Sequence, residues 1–273
     1  MQKKRKILWI CITSICVGIV LIGLVFKFAF QLKTVDVETQ LSRRNNSKLE
    51  IGVKDKIKTY FDFGENVILM EFDEISQRIE KDLPYVKINQ VIKSFPNVVR
   101  VYISERIPKY KVRDLENNNI WYILDEDFKI LEKLTEDEEK DIDFENSVEI
   151  ESLRITQNEG EFLTGKDDLK NNLNSIMTGI FGDTEDYSVA KSICVSDNLE
   201  KNDTNFYVTM KNKANLDEKG AVILIEGSSD LVKKSNAGMT TYLQKVVSEG
   251  LYPNVSSTVI TIRFDGKNYT GLI

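Results

Sequence analysis

PYVKINQVIKSFPNVVRVYISERIP, residues Pro84 to Pro108, holds two runs of alternating apolar residues joined by a turn sequence. Tyr85–Lys93 and Val98–Ser104 read as strands, because an extended chain sends successive side chains to opposite faces and Val and Ile suit a pleated, half-buried surface. Between them, Ser94-Phe95-Pro96-Asn97 supplies the Pro and Asn that favour a turn. Val86, Ile88 and Ile92 are expected on the inward face of the first strand. Val99, Val101 and Ile103 are expected on that of the second.

Two helices precede the hairpin. Leu49, Val53, Ile57, Tyr60 and Phe61 fall on one helical stripe, which Gly64 closes. Asp73 is a suitable N-cap for a second helix, with Phe72, Ile75, Ile79 and Leu83 on one face and Pro84 at its end. Upstream, Val35-Asp36-Val37 alternates as a short strand. The order β-α-α-β-β over residues 33–108 predicts an antiparallel sheet with two helices on one face, a POTRA-type module.

Residues 109–273 predict a second α+β domain on a largely antiparallel sheet. Trp121–Leu124 and Lys129–Leu131 read as a hairpin, and Val148–Ile155, Tyr187–Val195, Asn205–Met210 and Ala221–Glu226 as further strands. Helices are expected over Asp167–Phe181, with Leu169, Leu173, Ile176 and Ile180 inward, and over Ser235–Glu249, with Met239, Tyr242, Leu243 and Val246 inward. Gly227 breaks the strand before the last helix. Ser257–Phe264 and Asn268–Leu272 close the chain around an Asp265-Gly266 turn.

Ile7 to Phe26 is a run of twenty residues without a charge, preceded by Lys3, Lys4, Arg5 and Lys6. That pattern predicts an uncleaved transmembrane helix over residues 7–30, a cytoplasmic tail over residues 1–6, and all later residues outside a cell membrane. The run is longer than a signal-peptide core and lacks a small-residue cleavage site. Setting aside those four cations and Lys27 leaves 32 basic against 43 acidic residues, a net charge of −11. Such a surface repels nucleic acid and anionic lipid.

Histidine is absent. Its absence removes Ser-His-Asp and Cys-His catalytic systems and His-containing zinc sites. No phosphate-binding glycine loop is present, and no cofactor is expected. Cys11 and Cys16 lie in the apolar run, so Cys194 has no partner for a disulfide framework and is expected in the core. Glu136-Asp137-Glu138-Glu139, within an acidic stretch over residues 135–145, reads as a solvated loop.

Asn66-Val67-Ile68, Pro84-Tyr85-Val86, Phe95-Pro96-Asn97 and Glu105-Arg106-Ile107-Pro108, in that order behind an apolar anchor, resemble the FtsQ/DivIB family of bitopic cell-division proteins. The resemblance marks Asn66, Pro84, Val86, Pro96, Glu105, Arg106 and Pro108 as structural motif residues, Pro108 closing a strand at a domain joint. An exposed edge near Val35–Val37 or Val98–Ser104 could recruit a partner. One departure lies at Asp127 and Phe128, where the family's hairpin carries glycine. The resemblance implies a non-enzymatic divisome scaffold at the septum that links early and late division proteins and helps regulate septal peptidoglycan synthesis. The implied partners are the bitopic coiled-coil proteins FtsB (DivIC) and FtsL. By position, the edge formed by Val259, Ile260, Thr261, Ile262, Arg263 and Phe264 would receive a partner strand, since an unpaired strand displays free N–H and C=O groups. The alternative class is an exported sensor or a POTRA-containing secretion or sporulation component, which predicts a deep apolar pocket.

Overall fold

The computed structural model describes residues 2–39, 52–114, 119–135, 137, 147–151, 153–182, 189–198, 203–211, 219–248 and 258–273. Leu49, Glu136, Glu138, Glu139, Tyr187 and the side chain of Cys11 lie outside the described set. Two compact units emerge, Met1–Arg106 and Ile107–Ile273.

The first unit begins with helix α1, Gln2–Ala29. The membrane anchor expected here is not supported: among the described residues no helix is long and apolar enough to cross a membrane. The topology inferred from the anchor falls with it.

Strand β1 (Thr34–Thr39), helices α2 (Val53–Lys58) and α3 (Asp73–Asp82), and strands β2 (Val86–Ser94) and β3 (Val98–Glu105) follow. The sheet order is β1-β3-β2. β1 runs parallel to β3, with Val35 opposite Val99 and Val37 opposite Val101; only the β2–β3 pair is antiparallel. The antiparallel sheet read from the sequence is therefore corrected to a mixed one, and Val98–Ser104 is its centre, not an edge. The N-cap of α3 is Phe72, one residue before the expected Asp73.

Ile57, Phe61, Ile79, Val86, Val99, Val101 and Ile103 form the core, with Phe72, Ile75 and Leu83 packed against it. Fully burying one such aliphatic side chain contributes about 1.5–3 kcal/mol. β2 departs from simple alternation. Ile88 pairs with Ile103 and Gln90 with Tyr102, so Asn89 is an extra residue, a bulge. Past it the faces exchange: Val91 and Lys93 lie opposite Val101 and Val99, while Ile92 lies opposite Arg100. Ile92 is thus turned from the inward face assigned by strict alternation, and Val91 packs on the core in its place.

Arg106 closes this unit. It is 5% exposed, its Nη2 lies 2.9 Å from Glu80 Oε2, and its backbone N–H donates to Tyr85 O at 2.8 Å. Glu80 Oε1 in turn accepts from Ile88 N–H at 2.7 Å. The pair joins α3 to the end of the hairpin.

The second unit is built on a nine-stranded sheet: β4 (Tyr110–Arg113), β5 (Ile120–Leu124), β6 (Ile130–Thr135), β7 (Val148–Glu151), β8 (Ala190–Asn198), β9 (Asp203–Lys211), β10 (Lys219–Glu226), β11 (Val259–Phe264) and β12 (Tyr269–Leu272). The order is β12-β11-β10-β9-β8-β7-β4-β5-β6. β4–β7, β7–β8 and β10–β11 are parallel, and the other five pairings are antiparallel. Helices α4 (Asp167–Phe181) and α5 (Leu231–Thr241) contribute to one core with Tyr110, Val112, Tyr122, Ile193, Phe206, Ile223 and Ile260.

Three expectations change in this unit. Leu243 is exposed, because α5 continues as a π-helix over Tyr242–Ser248, whose wider turn rotates residues off the 3.6-residue stripe. Cys194 is only half-buried, on the sheet face opposite its core neighbour Ile193. Phe128, in place of glycine, holds a left-handed φ of 62°. Asp125 Oδ1 fixes that turn by accepting from Asp127 N–H at 2.9 Å and Lys129 N–H at 2.8 Å. The left-handed conformation costs about 1–2 kcal/mol, which burial of the ring edge-on to Tyr110, centroids 5.6 Å apart, offsets.

On the opposite sheet face Glu149 stands in register between Lys111 and Ser192. Burial pushes its carboxyl up and Glu151 adds to the rise, against the pull of Lys111, Arg113 and Lys191.

Phe128→Ala is expected to lower stability by about 3–5 kcal/mol in denaturant unfolding of the full chain. Arg106→Ala leaves a half-buried carboxylate without its cation and should cost about 3–5 kcal/mol. Combined with Glu80→Ala, it should show a coupling above about 1 kcal/mol in a double-mutant cycle; additivity would refute the pair. For Glu149 the folded-state value exceeds the unfolded one. Its stabilising contribution is therefore full below about 4.5 and is lost as pH rises through the raised value. Glu149→Gln should abolish that decline in urea titrations run from about pH 4 to pH 7.

Candidate functional site

The strand proposed as a partner edge, Val259–Phe264, is not a margin of the sheet. β10 pairs with it through Val259, Ile260 and Thr261, and β12 pairs with it through Thr261, Ile262, Arg263 and Phe264. Ile260 is buried in the core, and Val259 and Phe264 are exposed. Position along the chain placed the edge one strand too early: among the described residues the outermost strand at this end is β12. The turn before it is built as read. Asp265 Oδ1 accepts from Lys267 N–H at 2.9 Å and Asn268 N–H at 2.7 Å, bonds that hold its carboxyl below the usual range. Gly266 supplies a φ of 93° there.

β12 is pinned to α5 on its inner face. Tyr269 OH donates to Asp230 Oδ2 at 3.0 Å, and this bond lowers the Asp230 carboxyl, with Lys233 adding to the effect. The same bond pushes the Tyr269 hydroxyl up. Thr241 Oγ1 donates to Gly271 O at 3.3 Å. A Cβ at Gly271 would collide with Thr241 Oγ1, so glycine is what allows strand and helix to approach. Between α5 and β12 runs a groove of about 750 Å3, lined by Asp230, Lys233, Asn236, Thr240, Tyr269 and Gly271 among others. Its lining is mixed polar and apolar with an aromatic end, where Phe264 and Tyr269 pack at a tilt with ring centroids 4.9 Å apart.

The opposite margin, β6, is treated differently. Ile130 N–H donates to Glu161 O at 2.9 Å, Gly160 N–H to Ile130 O at 2.9 Å, and Leu163 N–H to Phe128 O at 3.0 Å. A loop therefore occupies the start of that edge, whereas among the described residues no strand pairs with the outer side of β12.

The motif residues of the first unit hold loops and strand ends. Asn66 Nδ2 donates to Phe26 O at 2.9 Å, and Asn66 Oδ1 accepts from Ile68 N–H at 3.0 Å. The side chain thus ties the end of α1 to the segment before α3. Pro84 follows the last turn of α3, Val86 is buried, and Pro96 follows a cis peptide in the hairpin turn. Glu105 pairs with Val86 at the end of β3, Arg106 binds Glu80, and Pro108 lies just past the division between the units. Sequence reasoning missed Glu80 and Lys93. Lys93 Nζ donates to Ile68 O and Met70 O, each at 2.8 Å, and lies 5.2 Å from the Phe72 ring centroid. Only the bulge at Asn89 turns it that way, and alternation carries no sign of it. Among the described residues no group of three or more Cys, Asp or Glu side chains is placed to hold a metal ion.

No family model matches the chain. It is 24% identical over 264 residues to the cell division protein DivIB of Clostridium tetani (strain Massachusetts / E88), covering 89% of this chain and 83% of that protein. Coverage of that extent exceeds either unit alone. The likeness supports the resemblance to the FtsQ/DivIB family carried by the motifs of the first unit, and with it a role in cell division.

Proposed function

We propose that this protein is a non-enzymatic scaffold of the division machinery that works through protein–protein contacts at the septum. It links early and late division proteins and helps regulate septal peptidoglycan synthesis. Its partners on this reading are coiled-coil division proteins of the FtsB (DivIC) and FtsL type. The supporting observation is β12: a strand at the margin of a nine-stranded sheet, held rigidly from one face by Tyr269–Asp230 and Thr241–Gly271. A rigid, unpaired margin lowers the ordering cost of adding an extended segment. Phe264, Leu272 and Ile273, all exposed, supply apolar contact beside it.

Two measurements test this. A fluorescent fusion to the full chain in growing cells is expected as a band at midcell; a distribution that ignores the division site overturns the division role. The purified chain should bind a peptide from the C-terminal region of its DivIC-type partner, and the exposed-residue change Leu272→Lys should weaken that binding about tenfold or more. Unchanged affinity in Leu272→Lys, or in Phe264→Lys as a second variant, would remove β12 as the docking margin.

A further inference from the structure

We infer that β12 also pairs with itself: two copies of this chain join through it as antiparallel strands about a two-fold axis at Thr270, and so cap each other's margin while no partner is bound. The capping rests on the partner reading proposed above; the self-pairing does not.

Backbone parity comes first. Across β11 and β12, Phe264 stands opposite Tyr269, Arg263 opposite Thr270, Ile262 opposite Gly271 and Thr261 opposite Leu272. Asp265 N–H donates to Asn268 O at 3.1 Å, so that pair belongs to the hydrogen-bonded class. In an antiparallel ladder such pairs alternate with pairs whose backbone groups turn away from each other. Tyr269 and Gly271 therefore direct their N–H and C=O groups to the outer side, where among the described residues no strand pairs with β12. A two-fold axis at Thr270 sets Tyr269 of each copy opposite Gly271 of the other, and both pairs exchange their N–H···O bonds. Gly271 O already accepts from Thr241 Oγ1, and its second lone pair serves the new bond.

The side chains agree with that axis. Thr270 faces its own copy across it, and it is uncharged, whereas like charges placed directly opposite repel. Glycine opposite Tyr269 leaves the ring unobstructed, an arrangement that covers an edge glycine with an aromatic. Tyr269–Leu272 carries no Lys and no Pro, and its pairing with β11 has no bulge, so none of these guards against edge-to-edge pairing is present in it. The groove between α5 and β12 sets the helix back from the margin, which leaves room for a second strand.

Size decides the strength. A strand of four residues buries far less than the roughly 1,200–2,000 Å2 of a stable interface. The pair is therefore weak, and a longer partner segment displaces it.

The test is sedimentation equilibrium of the full chain at concentrations up to about 1 mM. Wild-type mass is expected to rise with concentration. Thr270→Lys and Thr270→Glu, each alone, should weaken self-association about tenfold or more, and an equimolar mixture of the two should restore it to within about threefold of wild type. Thr270 is exposed, and circular dichroism reports that both variants keep the fold. Association through any other surface is common to all samples and cancels in the comparison. A wild type that stays monomeric, single variants that associate as the wild type does, or a mixture no stronger than either variant alone overturns the self-pairing. The DivIC-type peptide should lower the wild-type mass; a peptide that binds without lowering it overturns the capping. A peptide that does not bind counts against the partner reading, and the charge exchange at Thr270 still decides the self-pairing.

Discussion

A β-sheet must end somewhere, and wherever it ends a row of backbone donors and acceptors is left to be satisfied. The two sheets of this protein meet that constraint in different ways. At β6 the loop reaching from Asn158 to Leu163 lies against the first residues of the strand. At β2 a bulge and the Glu80 carboxylate break up the row. At β12 the inner face is anchored to α5 and the residue before it, and among the described residues no strand pairs with the outer side. The docking proposed at β12 rests on that difference between the margins.

Local features were legible where one residue type has one physical use. The helical stripe of Phe72, Ile75, Ile79 and Leu83 was readable because 3.6-residue spacing puts those side chains on one face, and each packs as expected. Val99, Val101 and Ile103 were readable for the corresponding reason in an extended chain. Ile92 and Leu243 were misread because a bulge and a π-turn each change the period, and neither leaves a compositional mark. β4 was missed although Tyr110, Lys111, Val112 and Arg113 alternate, since four residues are too few to stand out from a loop. The apolar run at the N-terminus reads as an anchor on composition alone, whereas among the described residues no helix is long and apolar enough to cross a membrane.

Strand order was the least legible level. β11 and β12 both carry the composition of a strand, and which of them lies outermost follows from pairing across the sheet. Nothing within either stretch records it. The same holds for β1, whose parallel pairing with β3 depends on where two intervening helices deliver the chain. Phe128 shows the converse: the departure from glycine was visible in the sequence, yet the turn is preserved because burial of the aromatic ring outweighs the left-handed backbone.

Asn89 sets the parity of everything after it in β2. As an extra, unpaired residue it lets Val91 and Lys93 share the face of Val99 and Val101; taken into the ladder as an ordinary residue, it would give that face to Ile92 and Ser94, and Lys93 would swing away from the carbonyls of Ile68 and Met70. Length changes in this strand are therefore not equivalent. Loss of one residue can be absorbed at Asn89, because regular alternation without the bulge keeps both faces as they are, and the strand tolerates a gap there that it would not tolerate beyond it.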